Sequence, residues 1–269
     1  MKMTPGHLSD LKAWYAEYVG GFYLRHPAQK PNIKLKDDHT VRVCREIVEI
    51  GRELALSEQD LLIAEAAALL HDIGRFEQII RYGTLSDVQS ENHAALGVRI
   101  LKEKDILRHL PEAVREVVMK AVALHNAPAL SASERDDILR HARLLRDADK
   151  IDIYWVVTRF YTDRDSLKDV DVKINLPDDP GISEHVYELL LHRKPVRYAD
   201  LKRVNDFKLL QLAWVYDMNF DVALKRIVER GYLDVLVSVL PADEKVSRIN
   251  EMVRAHVESR LKPKSRRPS

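Results

Sequence analysis

The sequence contains little of what several protein classes require. Its 269 residues include one cysteine, 9 glycines and 11 prolines. A single cysteine forms no internal disulfide and no cysteine-paired zinc site, and we interpret Cys44 as a small buried residue. No apolar run approaches the ~20 residues that span a bilayer, and the first 18 residues lack the apolar segment of a signal peptide. We therefore expect a cytoplasmic protein that does not enter a membrane.

An excess of charge of one sign is also missing. Lys and Arg together number 43 and Asp and Glu 42, and charged residues make up 32% of the chain. This balance argues against nucleic acid or an anionic membrane as the main partner, although it leaves room for a local basic pocket. Apolar residues make up 46% of the chain, which is enough for a sizeable buried core.

The apolar residues recur with the spacing of helices. Few segments alternate with a period of two, whereas many place apolar residues at i, i+3, i+4 and i+7, so the sequence predicts an all-α fold. The helices predicted first along the chain cover residues 9–24, 37–55, 58–71, 92–104, 111–124, 134–146 and 150–161. Pro27 and Pro31 are expected to break the chain between the first two helices. Helical patterning resumes at Ser183 and continues to Leu261.

The helix predicted over residues 58–71 is apolar nearly all round, which is typical of a buried central helix. Ser57 and Asp60 resemble a capping box at its start. His71 and Asp72 lie at its end, where a charged carboxylate is costly to bury unless something compensates it. A divalent cation would compensate both groups, and at a helix end both side chains can converge on one ion. An ordinary exposed helix end is the alternative.

Three more histidines and one more acid lie in comparable positions. His39, His93 and His125 each lie near a predicted helix end, and Asp149 lies at the start of another apolar helix. Neutral imidazoles and carboxylates are ligands for Zn, Mn, Fe and Ni, whereas Mg prefers oxygen. Spacing alone does not establish that these helices meet, and as plain helix residues the histidines would be structural.

The order of these residues resembles that of the HD-domain metal-dependent phosphohydrolase superfamily. The family's pattern is a His, then a His-Asp pair, then a distant Asp, which matches His39, His71-Asp72 and Asp149. Two further segments are similar to the family's motifs, namely residues 69–76 and 147–152. The resemblance covers approximately residues 35–160.

The resemblance also implies a ligand set. Some subfamilies add two histidines and bind two metals, and His93 and His125 lie in the corresponding places. The implied cofactor is one or two divalent ions of Mn, Fe, Ni, Co, Zn or Mg, with Asp72 as the bridge. The implied metal ligands are His39, His71, Asp72, His93, His125 and Asp149. The Gly-Tyr-Pro that follows this histidine in the cyclic-dinucleotide branch is replaced by Asn126-Ala127-Pro128, which argues against cleavage of cyclic-di-GMP.

The function implied by the resemblance is metal-dependent cleavage of a phosphate ester. A metal lowers the pKa of its water towards ~7, so that hydroxide is available to attack phosphorus at neutral pH. The residues expected to act in catalysis are Asp72 and two cations that would stabilise the phosphoryl charge, Arg75 and Lys150. We expect a small phosphorylated substrate, with nucleotides among the candidates.

Two other functions are open at this point. HD-type di-iron oxygenases, such as those resembling myo-inositol oxygenase, have a similar set of six ligands but insert oxygen. The second is a non-catalytic module that senses a nucleotide. A fold that had lost catalysis should lack ligands, and none of the six is missing. Arg81, Tyr82 and Asp87 flank a loop after the motif and are positioned to shape a substrate pocket.

The proline- and acid-rich stretch within residues 162–182 is the best predicted boundary. The predicted segments are an N-terminal helical segment at 1–34, an HD metal-binding core at 35–162, a C-terminal helical extension at 181–262 and a disordered basic tail at 263–269. The expected fold is thus an all-α HD-domain helical bundle with additional C-terminal helices, which offer a face for a homodimer.

Overall fold

The computed structural model describes residues 2–163 and 176–262. Those residues contain helices and no strand, which confirms the predicted all-α fold. The chain divides into two compact units, and the division falls after Asp152. The predicted basic tail at 263–269 and most of the predicted boundary, residues 164–175, lie outside the described residues.

The first unit is built around a buried central helix. Its helices, in chain order, are α1 (Pro5–Arg25), α2 (Lys30–Glu53), α3 (Glu58–Leu70), α4 (Ile73–Tyr82), α5 (His93–Glu103), α6 (Glu112–Leu124) and the first part of α7 (Asp136–Thr162). α3 packs against α1, α2 and α6, while α5 packs against α4 and α6. The side chains of α3 are buried almost along its whole length, as its apolar sequence predicts.

α2 begins earlier than predicted. Pro31 lies in its first turn and does not break the chain, because the N–H that proline lacks has no partner within the first turn of a helix. His39 therefore lies in the middle of α2, which corrects its predicted place at a helix start. Lys36 and Arg42, three residues before and after it, share its face of the helix.

α7 is one continuous helix where two were predicted. Residues 147–149 contain neither proline nor glycine, and the helical hydrogen bonds continue through them to Thr162. Asp149 is therefore in the middle of a helix and not at the start of one, which corrects the prediction. Asp152 follows it by three residues and lies on the same face.

α4 occupies a segment in which no helix was predicted. Its apolar residues Ile73, Phe76 and Ile79 recur every three residues and are buried, a signal too short to separate a helix from a loop. The helix ends at Gly83, whose φ of 67° lies in the left-handed region that glycine adopts without strain. The ring of Phe76 packs edge-on against Tyr15 of α1, with centroids 6.2 Å apart.

Gly74 allows α4 and α5 to approach closely. A Cβ at this position would lie 2.2 Å from the carbonyl oxygen of His93 and 2.7 Å from the backbone nitrogen of Gly97. These are backbone atoms of α5, which cannot move aside as the end of a flexible side chain can. The glycine therefore brings the start of α4, with Asp72 at its N-terminal end, against the first turn of α5.

The second unit continues in helices to its described end. After the last part of α7 its helices are α8 (Glu184–Leu191), α9 (Val204–Ala213), α10 (Asp221–Glu229), α11 (Tyr232–Ser238) and α12 (Glu244–Leu261). Buried Asp206 accepts hydrogen bonds from the backbone nitrogen (2.7 Å) and the hydroxyl (2.6 Å) of Ser183, which fixes the chain just before α8. None of the described helices combines the length and apolarity that a membrane span requires.

Candidate metal centre

Six side chains of the first unit converge on one small region. They are His39 in α2, His71 at the end of α3, Asp72 at the start of α4, His93 at the start of α5, His125 at the end of α6 and Asp149 in α7. The four imidazoles and Asp72 are at most 5% exposed. Groups of three among the six bring their donor atoms within 4.8 Å of one another, which is the spacing that a shared metal ion requires.

The carboxylate of Asp72 divides the cluster into two halves. Its Oδ2 lies 3.5 Å from Nε2 of His39 and 3.7 Å from Nε2 of His71, and we call these groups the first half. Its Oδ1 lies 3.3 Å from Nε2 of His93 and 3.8 Å from Nε2 of His125, and we call these groups the second half. One carboxylate thus offers a separate oxygen to each pair of imidazoles.

Asp149 adds a fourth donor to the first half. Its Oδ1 lies 3.2 Å from Nε2 of His39 and 3.8 Å from Nε2 of His71. Asp149 also has a donor atom within 4.8 Å of donor atoms of His71 and His125, so it lies towards the middle of the cluster. The first half therefore has two imidazoles and two carboxylates, whereas the second half has two imidazoles and the shared carboxylate.

Two of the imidazoles are oriented by carboxylates outside the cluster. Nδ1 of His39 lies 2.6 Å from Oδ2 of Asp152, and Nδ1 of His93 lies 2.7 Å from Oδ2 of Asp87. An ionised carboxylate only accepts hydrogen bonds, so each Nδ1 carries the hydrogen. The lone pair of each neutral ring is then on Nε2, which faces the centre and is the atom that would ligate a metal.

The other two imidazoles are oriented by their own helices. Nδ1 of His71 donates to the carbonyl oxygen of Ala68 at 2.7 Å, and Nδ1 of His125 donates to that of Val122 at 2.8 Å. Carbonyls near the end of a helix lack partners within it, so a histidine at that end can satisfy one of them. Again the hydrogen lies on Nδ1 and the lone pair on Nε2.

The inward Nε2 atoms approach one another closely. They are 3.2 Å apart between His39 and His71 and 2.9 Å apart between His93 and His125. Two neutral rings with hydrogens on Nδ1 would face lone pair to lone pair at this distance, which is unfavourable without a cation between them. A proton would satisfy one pair, and a metal ion would satisfy a pair together with a carboxylate oxygen. The donor set therefore fits one or two divalent metal ions.

The outer carboxylates are themselves held by cationic and amide groups. Arg42 donates to both oxygens of Asp152, from Nε at 2.5 Å and from Nη2 at 2.9 Å. Asp87 accepts from Nη1 of Arg75 and Nε2 of Gln78, each at 2.9 Å, and from Nδ2 of Asn126 at 3.2 Å. Such outer partners fix ring orientation and strengthen the ligand.

The two carboxylates of the cluster remain ionised despite burial. Burial raises the pKa of Asp72, but the charge of Lys36 and the neighbouring histidines and Arg75 hold that pKa well below its usual range. Burial also raises the pKa of Asp149, but the hydrogen bond with His39 and the charges of the neighbouring histidines together lower it below its usual range. Both groups are therefore charged at neutral pH, as a metal ligand must be.

His39 differs in basicity from the other three histidines of the cluster. Burial, followed by the charge of Arg75, lowers the pKa of His93 to about 4, and burial, followed by His71, lowers that of His125 to about 4. Burial also lowers the pKa of His71. For His39 burial acts in the same direction, but hydrogen bonds to Asp149 and Asp152 raise its pKa above the ordinary value.

Comparison with known families connects this geometry to a protein class. The family model described as the HD domain matches residues 37–154. The matched segment contains all six residues of the cluster. Residues 37–154 are an HD domain. No curated protein and no solved structure gives a significant match to the chain.

The match confirms the resemblance found in the sequence, and the HD domain connects this segment with a superfamily of metal-dependent hydrolases. All six residues predicted as metal ligands lie together in the HD domain. Their assignment as ligands stays a prediction.

The two predicted catalytic cations of the HD domain differ in their surroundings. Nη1 of Arg75 donates to the carbonyl oxygen of Leu85 at 2.5 Å as well as to Asp87 and Gln78. Its Nε lies 3.6 Å from Oδ1 of Asp72. Arg75 thus ties the segment after α4 to the second half. Lys150 is half-buried beside Asp149 in α7, and its catalytic role stays a prediction.

Of the three residues predicted to shape a substrate pocket, one contacts the cluster and two lie on the surface. Asp87 contacts the ring of His93 in the cluster directly. Tyr82 is half exposed and donates to Glu91 at 3.0 Å, and Arg81 pairs with Glu77 on the surface of α4. Of these predicted pocket residues, Asp87 is the one that the structure brings to the cluster.

Sequence reasoning assigned no role to three residues of the HD domain that touch the cluster or its outer carboxylates. Lys36 bonds Asp72, Asp152 bonds His39, and Arg42 bonds Asp152. Their signal in the sequence was spacing. Lys36 and Arg42 lie three residues before and after His39, and Asp152 lies three residues after Asp149. That signal could be used only if α2 and α7 were known to continue through these positions.

Proposed function

We propose that this chain is a metal-dependent phosphohydrolase that cleaves a phosphate ester, with nucleotides among the candidate substrates. The observation that supports it most is the orientation of the four imidazoles. Every Nδ1 is engaged by an outer acceptor and every Nε2 faces Asp72. A cluster of structural histidines has no need of this uniform arrangement, whereas a metal centre does.

The charge of the site also supports an anionic substrate. With neutral imidazoles, the cluster has the two negative charges of Asp72 and Asp149, so two divalent ions would leave it with a net positive charge. Lys36 and Arg75 add positive charge beside Asp72, with nitrogens 2.7 Å and 3.6 Å from its oxygens. A centre of this kind attracts a phosphate and stabilises charge that develops on its oxygens.

His39, His71, Asp72 and Asp149 would hold one ion, and Asp72, His93 and His125 would hold a second. A bound divalent metal supplies a water of lowered pKa at neutral pH and a Lewis acid for phosphoryl oxygens. The protein's own contribution is to fix the donors. Asp152 and Asp87 keep the rings of His39 and His93 from rotating, and the burial of the cluster excludes bulk water, which strengthens electrostatic interactions inside.

The test is phosphate release from a panel of nucleotides and simple phosphoesters. Each assay contains Mn, Co, Ni, Mg, Fe or Zn, and compares the wild type with Asp72→Ala. Asp38→Ala is the matched control, because Asp38 lies beside His39 on α2 but is exposed and paired with Lys34. We expect metal-dependent turnover in the wild type and control and none in Asp72→Ala.

Absence of phosphate release would favour a different function. Wild-type protein that binds metal but releases phosphate from none of the esters would contradict the hydrolase. Oxygen consumption by the iron-loaded protein would then favour the oxygenase alternative, and nucleotide binding without turnover would favour the sensing module.

A further inference from the structure

Lys36 is a cation in direct contact with the metal centre. It lies on α2 one turn before His39, and its Nζ lies 2.7 Å from Oδ2 of Asp72. Oδ2 is the oxygen that Asp72 turns towards the first half. Lys36 therefore places a positive charge beside the first half, which has both carboxylates of the cluster.

Lys36 lies on the side of the cluster that solvent reaches. Its side chain is 16% exposed, as is that of Asp149, whereas the rings of His39 and His71 are 4% and 0% exposed. Solvent therefore reaches the first half at Lys36 and Asp149. Asp149 repels a phosphate, whereas Lys36 attracts it.

The ammonium of Lys36 has hydrogen-bonding capacity to spare. An ammonium has three N–H donors, and among the residues that the structure describes Asp72 is the hydrogen-bond partner of Nζ. Two N–H groups are thus available to a ligand. Lysine binds phosphate as a compact point charge, and in a largely buried position that charge acts more strongly than on the surface.

Arg75, the cation predicted from the sequence, is committed to other partners. Its Nη1 donates to Gln78, Leu85 and Asp87, so turning the guanidinium towards a substrate would cost these bonds and release the segment that orients His93. Nη1 of Arg75 thus holds the segment around Asp87, and although its Nε has no hydrogen-bond partner among the described residues, the guanidinium cannot turn without breaking the Nη1 bonds, whereas Lys36 has no such constraint.

We propose that Lys36 binds the phosphoryl oxygens of the substrate, a role that rests on the proposed phosphohydrolase function. Lys36 is in this view a substrate-binding residue of the first half, and Arg75 positions the segment around Asp87.

The experiment compares the wild type with Lys36→Met, which removes the charge but keeps the length of the side chain, and Lys36→Arg, which keeps the charge. Lys34→Met is the matched control, because Lys34 is exposed on the same helix and pairs with Asp38. The affinities of the Mn-loaded proteins for inorganic phosphate and of the metal-free proteins for Mn are measured by calorimetry, and kcat and KM are measured for an ester that the wild type cleaves.

We expect phosphate to bind about tenfold more weakly to Lys36→Met, the loss expected for one charge-assisted hydrogen bond. KM should rise by a similar factor, Lys36→Arg should recover part of the affinity, and Lys34→Met should behave as wild type. Mn affinity should be unchanged or higher in Lys36→Met, because a metal near Oδ2 no longer faces a second cation.

Two results would overturn the proposal. Phosphate affinity equal to that of the wild type in Lys36→Met would exclude the contact. Weaker Mn binding with unchanged phosphate binding would show that Lys36 only supports Asp72. The proposed hydrolase fails separately: a wild type that cleaves no ester but binds phosphate through Lys36 would refute hydrolysis and retain the contact.

Discussion

The two halves of the candidate metal centre are built alike but supported differently. In each half a histidine of one helix is followed 32 residues later by a histidine at the end of the next helix. In each half one ring is oriented by an outer carboxylate and the other by a carbonyl of its own helix. The repeated arrangement indicates that the orientation of Nε2 is what both halves require.

The support around each half is where they differ. The first half has the extra carboxylate of Asp149, and its outer carboxylate, Asp152, lies on the same long helix α7. The second half has no carboxylate of its own besides Asp72, and its outer carboxylate, Asp87, lies in the irregular segment between α4 and α5. We infer that the first half binds metal more tightly and that the second depends on the segment around Asp87.

Loss of the shared carboxylate should have the largest effect. Asp72→Ala removes an oxygen from each half at once, so we expect neither half to retain metal through dialysis. The measurement is metal content by mass spectrometry after loading with Mn or Zn, with far-ultraviolet circular dichroism to verify helical folding. A folded variant with the wild-type metal content would refute the role of Asp72 as a bridge.

The next effect separates the halves. His93→Gln should abolish binding in the second half and leave one tightly bound ion, whereas Asp149→Asn should weaken the tightest site, because the first half then keeps one ionised carboxylate. Titration against a chromophoric chelator resolves the two affinities. If His93→Gln removes the tightest ion and Asp149→Asn does not, the order of the halves is the reverse of the one inferred.

Replacing the outer carboxylates should give smaller effects of the same kind. Asp87→Asn should weaken the second half and Asp152→Asn the first, each by about 10–100-fold, the usual cost of losing the outer partner of a ligand histidine. The same chelator titration measures both, and each variant serves as the control for the other. Equal losses at both ions in either variant would show that the outer carboxylates do not act on separate halves.

The smallest expected effect is the pH dependence of the free energy of unfolding of the metal-free protein. His93 and His125 have pKa values of about 4 in the folded protein, below about 6.5 in the unfolded chain. The unfolded state therefore binds more protons between these values, and the free energy of unfolding of metal-free protein should fall as pH drops from 6.5 to 4. His39, whose pKa is raised, acts with the opposite sign: its stabilisation is present at low pH and is lost as pH rises through its folded pKa.

Urea unfolding of chelator-treated protein across this pH range measures the effect. The double variant His93→Gln/His125→Gln should show a shallower fall in stability from pH 6.5 to 4 than the wild type, whereas His39→Gln should keep the wild-type slope there and differ from it in slope only above pH 6.5. Parallel curves for the wild type and the double variant from pH 6.5 to 4 would contradict the lowered pKa values of His93 and His125.

The sequence predicted which residues converge in the cluster better than it predicted the residues that support them. His71 beside Asp72 at the end of an apolar helix indicated a compensating cation, and the order of the remaining ligands matched a known family. The residue types of metal ligands are restricted by coordination chemistry, so they can be recognised in one dimension. The all-α fold was likewise predictable, because helical periodicity extends over most of the chain.

The supporting residues could not be recognised in this way. Asp152, Asp87 and Lys36 are common residue types whose roles depend on which helix faces them. The prediction that Pro31 breaks the chain hid the spacing between Lys36 and His39, and the predicted interruption of α7 hid the spacing between Asp149 and Asp152. Tertiary contacts decided these roles, and spacing along a helix could report those of Lys36 and Asp152 only if the bounds of α2 and α7 were known.

The two oxygens of Asp72 have a thermodynamic consequence. Since one carboxylate contacts both halves, occupancy of either half changes the charge and orientation available to the other. Linkage then requires reciprocity: whatever factor the first ion imposes on the affinity for the second, the second imposes on the first. The metal content of the protein should therefore follow a coupled binding curve, and its activity at a given metal concentration will depend on that coupling as well as on either affinity alone.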